Sequence, residues 1–151
     1  MENERFKPKF DILYYSVLIF ASIILIGVSL IGVIFDGALS VLFVTVPTTL
    51  LIGYFMLTTV FGYVELREKC VFVKFGFFAS REIPYSKIRG TVIERKLYSD
   101  SMMSLKNSIE HLNIKHGTFD VTTVSVVDNA ALAQKIEERK QREIASQTKE
   151  I

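Results

Sequence analysis

The chain contains no tryptophan and a single cysteine, Cys70, in 151 residues. One thiol cannot form an internal disulfide, so the fold must hold without covalent cross-links, which is compatible with a reducing compartment. Histidine occurs twice, at His111 and His116. Five residues apart on an alternating segment, the two point to opposite sides of an unbroken strand, and neither has a Cys or carboxylate at metal-ligand spacing. No metal site is expected. A glycine-rich phosphate loop is missing as well, so no cofactor is expected. Charge of one sign is also scarce: 18 Lys and Arg against 16 Asp and Glu leave a net charge of +2, without the electrostatic footprint of a nucleic-acid binder. The most informative absence is local. From Ile12 to Val64 the only charged residue is Asp36.

That uncharged stretch divides at Asp36 into two apolar runs, each exceeding the about 20 residues that a membrane-spanning helix needs. They predict a helical hairpin with spans at about 12–35 and 40–64. The first run is longer than the apolar region of a cleaved signal peptide, and no small-residue cleavage site follows it. Arg5, Lys7 and Lys9 precede the hairpin and Arg67, Lys69, Lys74 and Arg81 follow it, while the connecting turn carries Asp36 alone. The positive-inside rule then places both chain ends in the cytoplasm of a multi-pass protein. Small residues form two ridges, Thr45/Thr49/Gly53 and Ser22/Ser29/Gly32, which are expected to pack the helices on each other. Pro47 is expected to kink the second helix, with Thr48 and Thr49 satisfying freed carbonyls. With no acidic or basic group inside either span, an ion or proton pathway is disfavoured.

The polar remainder, roughly 85 residues, is enough for one small core. Mean hydropathy of +0.34 averages these two unlike halves. Strands are predicted at Tyr63–Leu66, Cys70–Phe75, Arg81–Tyr85, Gly90–Lys96, Met103–Lys106, Glu110–Lys115 and Phe119–Ser125, from β-branched and aromatic content and from alternation. Leu112 and Ile114 are the expected inward residues, with Val121 and Val124 anchoring the last strand. Phe77–Ser80, Ser86–Arg89 and His116–Thr118 read as turns and Leu97–Met102 as a loop. From Asp128 the period changes to that of a helix, capped by Asp128 or Ser125, with a stripe at Leu132, Ala133 and Ile136. Beyond Lys140 the chain is polar and expected to fray. The expected organisation is an N-terminal segment 1–11, a hairpin 12–64, a domain 65–140 and a tail 141–151. A bent antiparallel sheet or barrel closed by one terminal helix is a pleckstrin-homology (PH)-like architecture, so the fold class is membrane-anchored α+β.

The runs Val71-Phe72-Val73-Lys74-Phe75-Gly76, Ile83-Pro84-Tyr85-Ser86-Lys87-Ile88, Met103-Ser104-Leu105 and Leu112-Asn113-Ile114-Lys115-His116-Gly117 resemble the YyaB-like bacterial PH-domain family. So does the opening Phe6-Lys7-Pro8-Lys9-Phe10-Asp11, and the resemblance covers about residues 6–140. It implies two N-terminal membrane helices followed by a PH-like domain in a bacterial cytoplasmic membrane. Because some similar small membrane proteins serve as bacteriocin immunity proteins, it also implies immunity as an alternative function. The matching positions are structural, Gly76 fitting a turn of positive φ and Leu105 and Ile114 filling the core.

Catalytic chemistry finds no foothold. Cys70 lacks a histidine partner, Glu137-Glu138 lies on a solvated helix face beside Lys135 and Arg139, and Ser99-Asp100-Ser101 is loop composition. A phosphoinositide site would need clustered basic residues at the first hairpin, where Arg67 and Lys69 flank Glu68. Positive-inside topology accounts for these residues and for Lys74. The expected function is therefore a non-enzymatic binding module in contact with the bilayer and with a protein partner. A lipid- or envelope-modifying enzyme is a further alternative. No binding residue is singled out.

Overall fold

The computed structural model describes residues 3–37, 39–77, 79–101 and 104–149. Parts of the expected elements at Ala38, Phe78, Met102 and Met103, and the end of the tail at Glu150–Ile151, lie outside the described residues. The chain runs β1 (Glu4–Phe6), α1 (Ile12–Asp36), α2 (Ser40–Phe61), β2 (Tyr63–Leu66), β3 (Cys70–Lys74), β4 (Ser80–Pro84), a 3-10 turn (Tyr85–Lys87), β5 (Ile88–Arg95), β6 (Ser104–Leu105), β7 (Glu110–His116), β8 (Asp120–Val124) and α3 (Asn129–Lys149).

Helix α1 begins at an Asp11 cap, whose Oδ1 accepts the Leu13 amide at 3.0 Å, and ends at Gly37 in the left-handed conformation (φ 61°). Its segment Ile12–Phe35 is long and apolar enough to cross a membrane. The sequence leads one to expect two such helices; among the described residues one meets that criterion. The second apolar run, Ser40–Tyr54, is shorter, although α2 continues as a helix through Pro47 to Phe61. The hairpin also ends earlier than residue 64, because Tyr63 and Val64 already belong to β2. The two ridges meet in part. Ser29 Oγ and Thr45 Oγ1 share a buried hydrogen bond of 2.6 Å, and a Cβ on Gly32 would touch Val41. Gly53 has open space beside it, and Ser22 bonds back to the Leu18 carbonyl at 2.9 Å. Thr48 bonds the Val44 carbonyl at 2.7 Å, whereas Thr49 Oγ1 has no partner among the described residues.

The strands form two four-stranded sheets, ordered β1-β2-β3-β4 and β5-β7-β8-β6, around one shared apolar core. This corrects the expectation of one bent antiparallel sheet or closed barrel. Pro84 has no amide hydrogen, so the first ladder stops there and the 3-10 turn carries the chain into the second sheet. In that sheet β6 runs parallel to β8, making it mixed. Alternation is realised where one face is buried: Val64, Leu66, Val71, Val73 and Ile83 of the first sheet, and Leu112, Ile114 and Val124 of the second, are all at most 1% exposed. Leu132 and Ile136 of α3 close the core from one side. Burying either contributes about 1.5–3 kcal/mol. Asp128 caps α3, Oδ1 accepting the Ala131 amide at 2.8 Å.

Two segments differ from expectation at the chain ends. The N-terminal stretch 1–11 contains β1, which pairs antiparallel with β2 in the register Glu4–Leu66, Arg5–Glu65 and Phe6–Val64. Three residues are too few for a period to be read. At the other end, where 141–151 is expected to fray, α3 extends to Lys149. No Gly or Pro stops it, and residues such as Gln141, Arg142, Glu143 and Ala145 favour helix.

Candidate functional site

The two strands flanking the helical pair are hydrogen-bonded neighbours, so the helices leave and rejoin the domain at the same end. Further ties fasten that end. Pro8 bridges Val126, the Lys9 amide donates to the Ser125 carbonyl at 3.0 Å, and the Asp11 amide donates to the Asn107 carbonyl at 3.1 Å. Residues 4–11 therefore pair with the first sheet and touch the segments that follow β6 and β8 of the second. On the return side Gly62 leaves no room for a side chain: a Cβ there would lie 2.0 Å from Leu105 Cδ1 and 2.8 Å from the Lys74 carbonyl oxygen.

The inward faces of β1–β4 supply the core. Their outward face carries Arg5, Tyr63, Glu65, Cys70, Phe72, Lys74 and Glu82, all exposed or half-buried. Cations and rings alternate on it. The Arg5 guanidinium carbon sits 3.4 Å from the Tyr63 ring centroid, Lys74 Nζ lies 5.9 Å from the same ring, and the Arg67 guanidinium carbon is 3.9 Å from the Phe72 centroid. The Tyr63 and Phe72 rings are 6.0 Å apart. The carboxylates of this face are engaged: Glu82 pairs with Arg67 at 2.5 Å, while Glu65 accepts from Asn3 at 3.1 Å and lies 3.6 Å from Arg67 Nε. Among the described residues, neither Arg5 nor Lys74 has a carboxylate within ion-pair distance. Cations over aromatic faces contribute about 0.5–1 kcal/mol each at exposed sites and hold the side chains in place.

A second polar cluster covers the outward face of the other sheet. Asn113 donates to Glu94 at 3.2 Å and to Asp100 at 3.1 Å, and it accepts from Thr123 at 2.6 Å. Lys106, almost fully buried, donates to the carbonyls of Lys96 and Tyr98, and burial pushes its ammonium below the ordinary lysine range. These bonds pin the loop after β5 onto the sheet, and this is where Ser99-Asp100-Ser101 resides. Ser99 bonds within its own turn, Oγ donating to the Ser101 carbonyl at 3.0 Å. The arrangement fastens a loop, and among its described residues no nucleophile stands beside a base.

The remaining sequence candidates are dispersed. His111 and His116 lie on opposite faces of β7, as their spacing predicts. Their rings meet the Ile109 carbonyl at 3.0 Å and Thr122 Oγ1 at 2.8 Å respectively, and burial holds both imidazoles below their ordinary pKa range. Among the described residues no three His, Cys, Asp or Glu side chains gather as a metal site. Cys70 is half-buried on the outward face of β3. Burial pushes its thiol pKa up and the Glu82 carboxylate adds to this, which disfavours the thiolate. Glu137 binds Gln141 at 2.9 Å, and that hydrogen bond holds its carboxyl low. Lys69 lies on the β2–β3 turn, at the far end from the helices. Sequence reasoning misses the cation–aromatic face because Arg5 reaches Tyr63 from a distant part of the chain; the one local signal is a tyrosine just past an apolar run.

A family model described as "Bacterial PH domain" matches residues 62–140, just over half of the chain. No curated protein and no solved structure matches the chain.

Proposed function

The chain belongs to the bacterial PH-domain family, and on that premise we propose that it is a non-catalytic interaction module anchored in the cytoplasmic membrane of a bacterium. The module uses the outward face of β1–β4 to engage a protein partner. That face carries the reading: half-exposed aromatic rings under cations, left uncovered by any other described element and continuous with the helical pair. Membrane anchoring is supported by α1 and by the β1–β2 pairing. If α1 crosses the bilayer, α2 must bring the chain back, and its 22 residues extend about 33 Å against a hydrocarbon core of about 30 Å. Lys and Arg on both flanks, with Asp36 alone in the turn, favour the domain on the cytoplasmic side.

The test is site-specific photo-crosslinking of the full-length protein in native membranes, with the photoreactive residue at Phe72 or, as a control, at Phe119 on the β7–β8 turn. A discrete protein adduct from position 72 and none from 119 is expected, with the protein resisting alkaline extraction. Adducts from 119 alone would move the binding surface to the β7–β8 turn. Release by alkaline extraction would remove the membrane anchor.

A further inference from the structure

We infer that Arg5, Tyr63 and Lys74 form a binding site for the phosphodiester headgroup of an anionic lipid. The inference rests on the anchoring proposed above and goes beyond it by naming a ligand. Its starting point is a side chain that ignores its nearest countercharge. Arg5 stands opposite Glu65 in the β1–β2 register, the position where a cross-strand ion pair would form. Instead its guanidinium lies over the Tyr63 ring, 3.4 Å from the centroid, while Glu65 is occupied by Asn3 and Arg67. Tyr63 is two residues nearer the helices than Glu65, so the guanidinium is turned back toward them. Lys74, opposite Tyr63 in the β2–β3 register, brings its ammonium to within 5.9 Å of the same ring.

Depth supplies the second argument. Tyr63 follows the last residue of α2, Phe61, by two positions. At about 3.3 Å per extended residue that is at most about 7 Å beyond the helix end. The headgroup layer on each side of a bilayer is about 5–7 Å thick, from the difference between total and hydrocarbon thickness. The ring and its two cations therefore stand at the level of the lipid phosphates, where tyrosine is enriched in membrane proteins. A guanidinium stacked on a ring keeps its edge N–H donors free, and that planar edge matches two phosphate oxygens while an ammonium adds a point charge. Arg67 and Lys69, the basic residues of the first hairpin, do not take part, since Arg67 is paired with Glu82 and Lys69 is at the far end.

The full-length protein is reconstituted in nanodiscs of mixed phosphatidylcholine and phosphatidylglycerol, and the lipids retained on it after gentle release are counted by native mass spectrometry. Wild type is expected to retain phosphatidylglycerol preferentially. Arg5→Ala and Lys74→Ala should each reduce that preference about fivefold, from about 1 kcal/mol per cation near the surface. Lys115→Ala, at the far end of β7, should leave it unchanged. Arg5→Gln, which preserves length and polarity, separates loss of charge from loss of packing and should match Arg5→Ala. Equal retention of both lipids by wild type, or an undiminished preference in the Arg5→Ala/Lys74→Ala double variant, would overturn the site. Inorganic phosphate added to pure phosphatidylcholine nanodiscs is the other arm; its binding at the same residues would overturn the lipid as source. A protein that does not enter nanodiscs at all would refute the anchoring, an outcome distinct from entry without lipid preference.

Discussion

Replacing Gly62 with alanine tests whether the domain is seated directly on its helices. The added methyl would lie 2.0 Å from Leu105 Cδ1, 3.2 Å from Leu105 Cδ2 and 2.8 Å from the Lys74 carbonyl oxygen. Leu105 is fully buried, so its side chain cannot swing into open space, and the Lys74 oxygen is part of the β3 backbone. Inserting a methyl into such a site costs about 1–3 kcal/mol. For a domain of this size that is a fall in melting midpoint of about 5–20 °C. Calorimetry of the full-length protein in nanodiscs reads the domain transition. Gly53→Ala is the control, because nothing lies within 4 Å of the place its new methyl would take, and it should not lower the midpoint. In the double variant Gly62→Ala/Leu105→Ala, one clash is relieved at the expense of a cavity, so the two effects should fall short of additivity by about 1 kcal/mol. A Gly62→Ala protein that melts with the wild type would mean that helices and domain are not packed together as described.

Acidification should destabilise the domain. Burial lowers the folded-state pKa of both His111 and His116, against the partial compensation of the Ile109 carbonyl at His111 and with the help of Arg81 at His116. The unfolded chain then protonates first, so the stability from neutral histidine is complete above about pH 6.5 and is lost as pH falls toward the folded pKa values. Calorimetric midpoints should fall across that window, and His116→Gln, which can keep the Thr122 contact, should flatten part of the slope. A midpoint independent of pH there would refute it. Ser29→Ala removes the inter-helix bond to Thr45 and should weaken the helical pair by about 0.6–2 kcal/mol, read as lower heat resistance in detergent, with no change in the domain transition. Asp128→Ala should destabilise α3 by about 0.5–2 kcal/mol through loss of its cap; Asp128→Ser should restore most of it.

What can be read from the sequence follows from how locally each feature is encoded. The alternation in Glu110–Lys115 places Leu112 and Ile114 in the core, the change of period at Asp128 locates α3, and Gly76 does adopt a positive φ of 120°. Each of these lies within one short window. Elements whose partners are distant are not legible. β1 is three residues long and pairs with the edge of β2, and β6 lies parallel to β8 with Leu105 packed against Gly62. Val92 and Ile93, the apolar pair of the strand expected at Gly90–Lys96, are 37% and 43% exposed. Charge counting finds Arg5 and Lys74 without revealing that they converge on one ring, since that depends on two strand registers.

These long-range contacts also constrain how such a module works. A domain joined to its anchor by a flexible linker samples a volume set by linker length. This one has no linker: β1 enters α1 through Asp11, Gly62 joins α2 to β2 against Leu105, and residues 7–11 are tied to Ser125, Val126 and Asn107. The outward face of β1–β4 is thus held at one height and one orientation relative to the helices. On the membrane-anchored reading, its ligands are selected by depth before they are selected by chemistry. Tyr63 with its two cations stands at the headgroup level, while Phe72 with Arg67 and Glu82 stands one step farther out, where a protein segment lying along the surface would meet it. Inserting a flexible glycine-serine spacer at both junctions, before Asp11 and after Gly62, should separate the two properties, leaving the domain folded while abolishing both crosslinking at Phe72 and lipid preference at Arg5. Retention of both with the spacer in place would show that the face recognises its ligands without being held at a fixed depth.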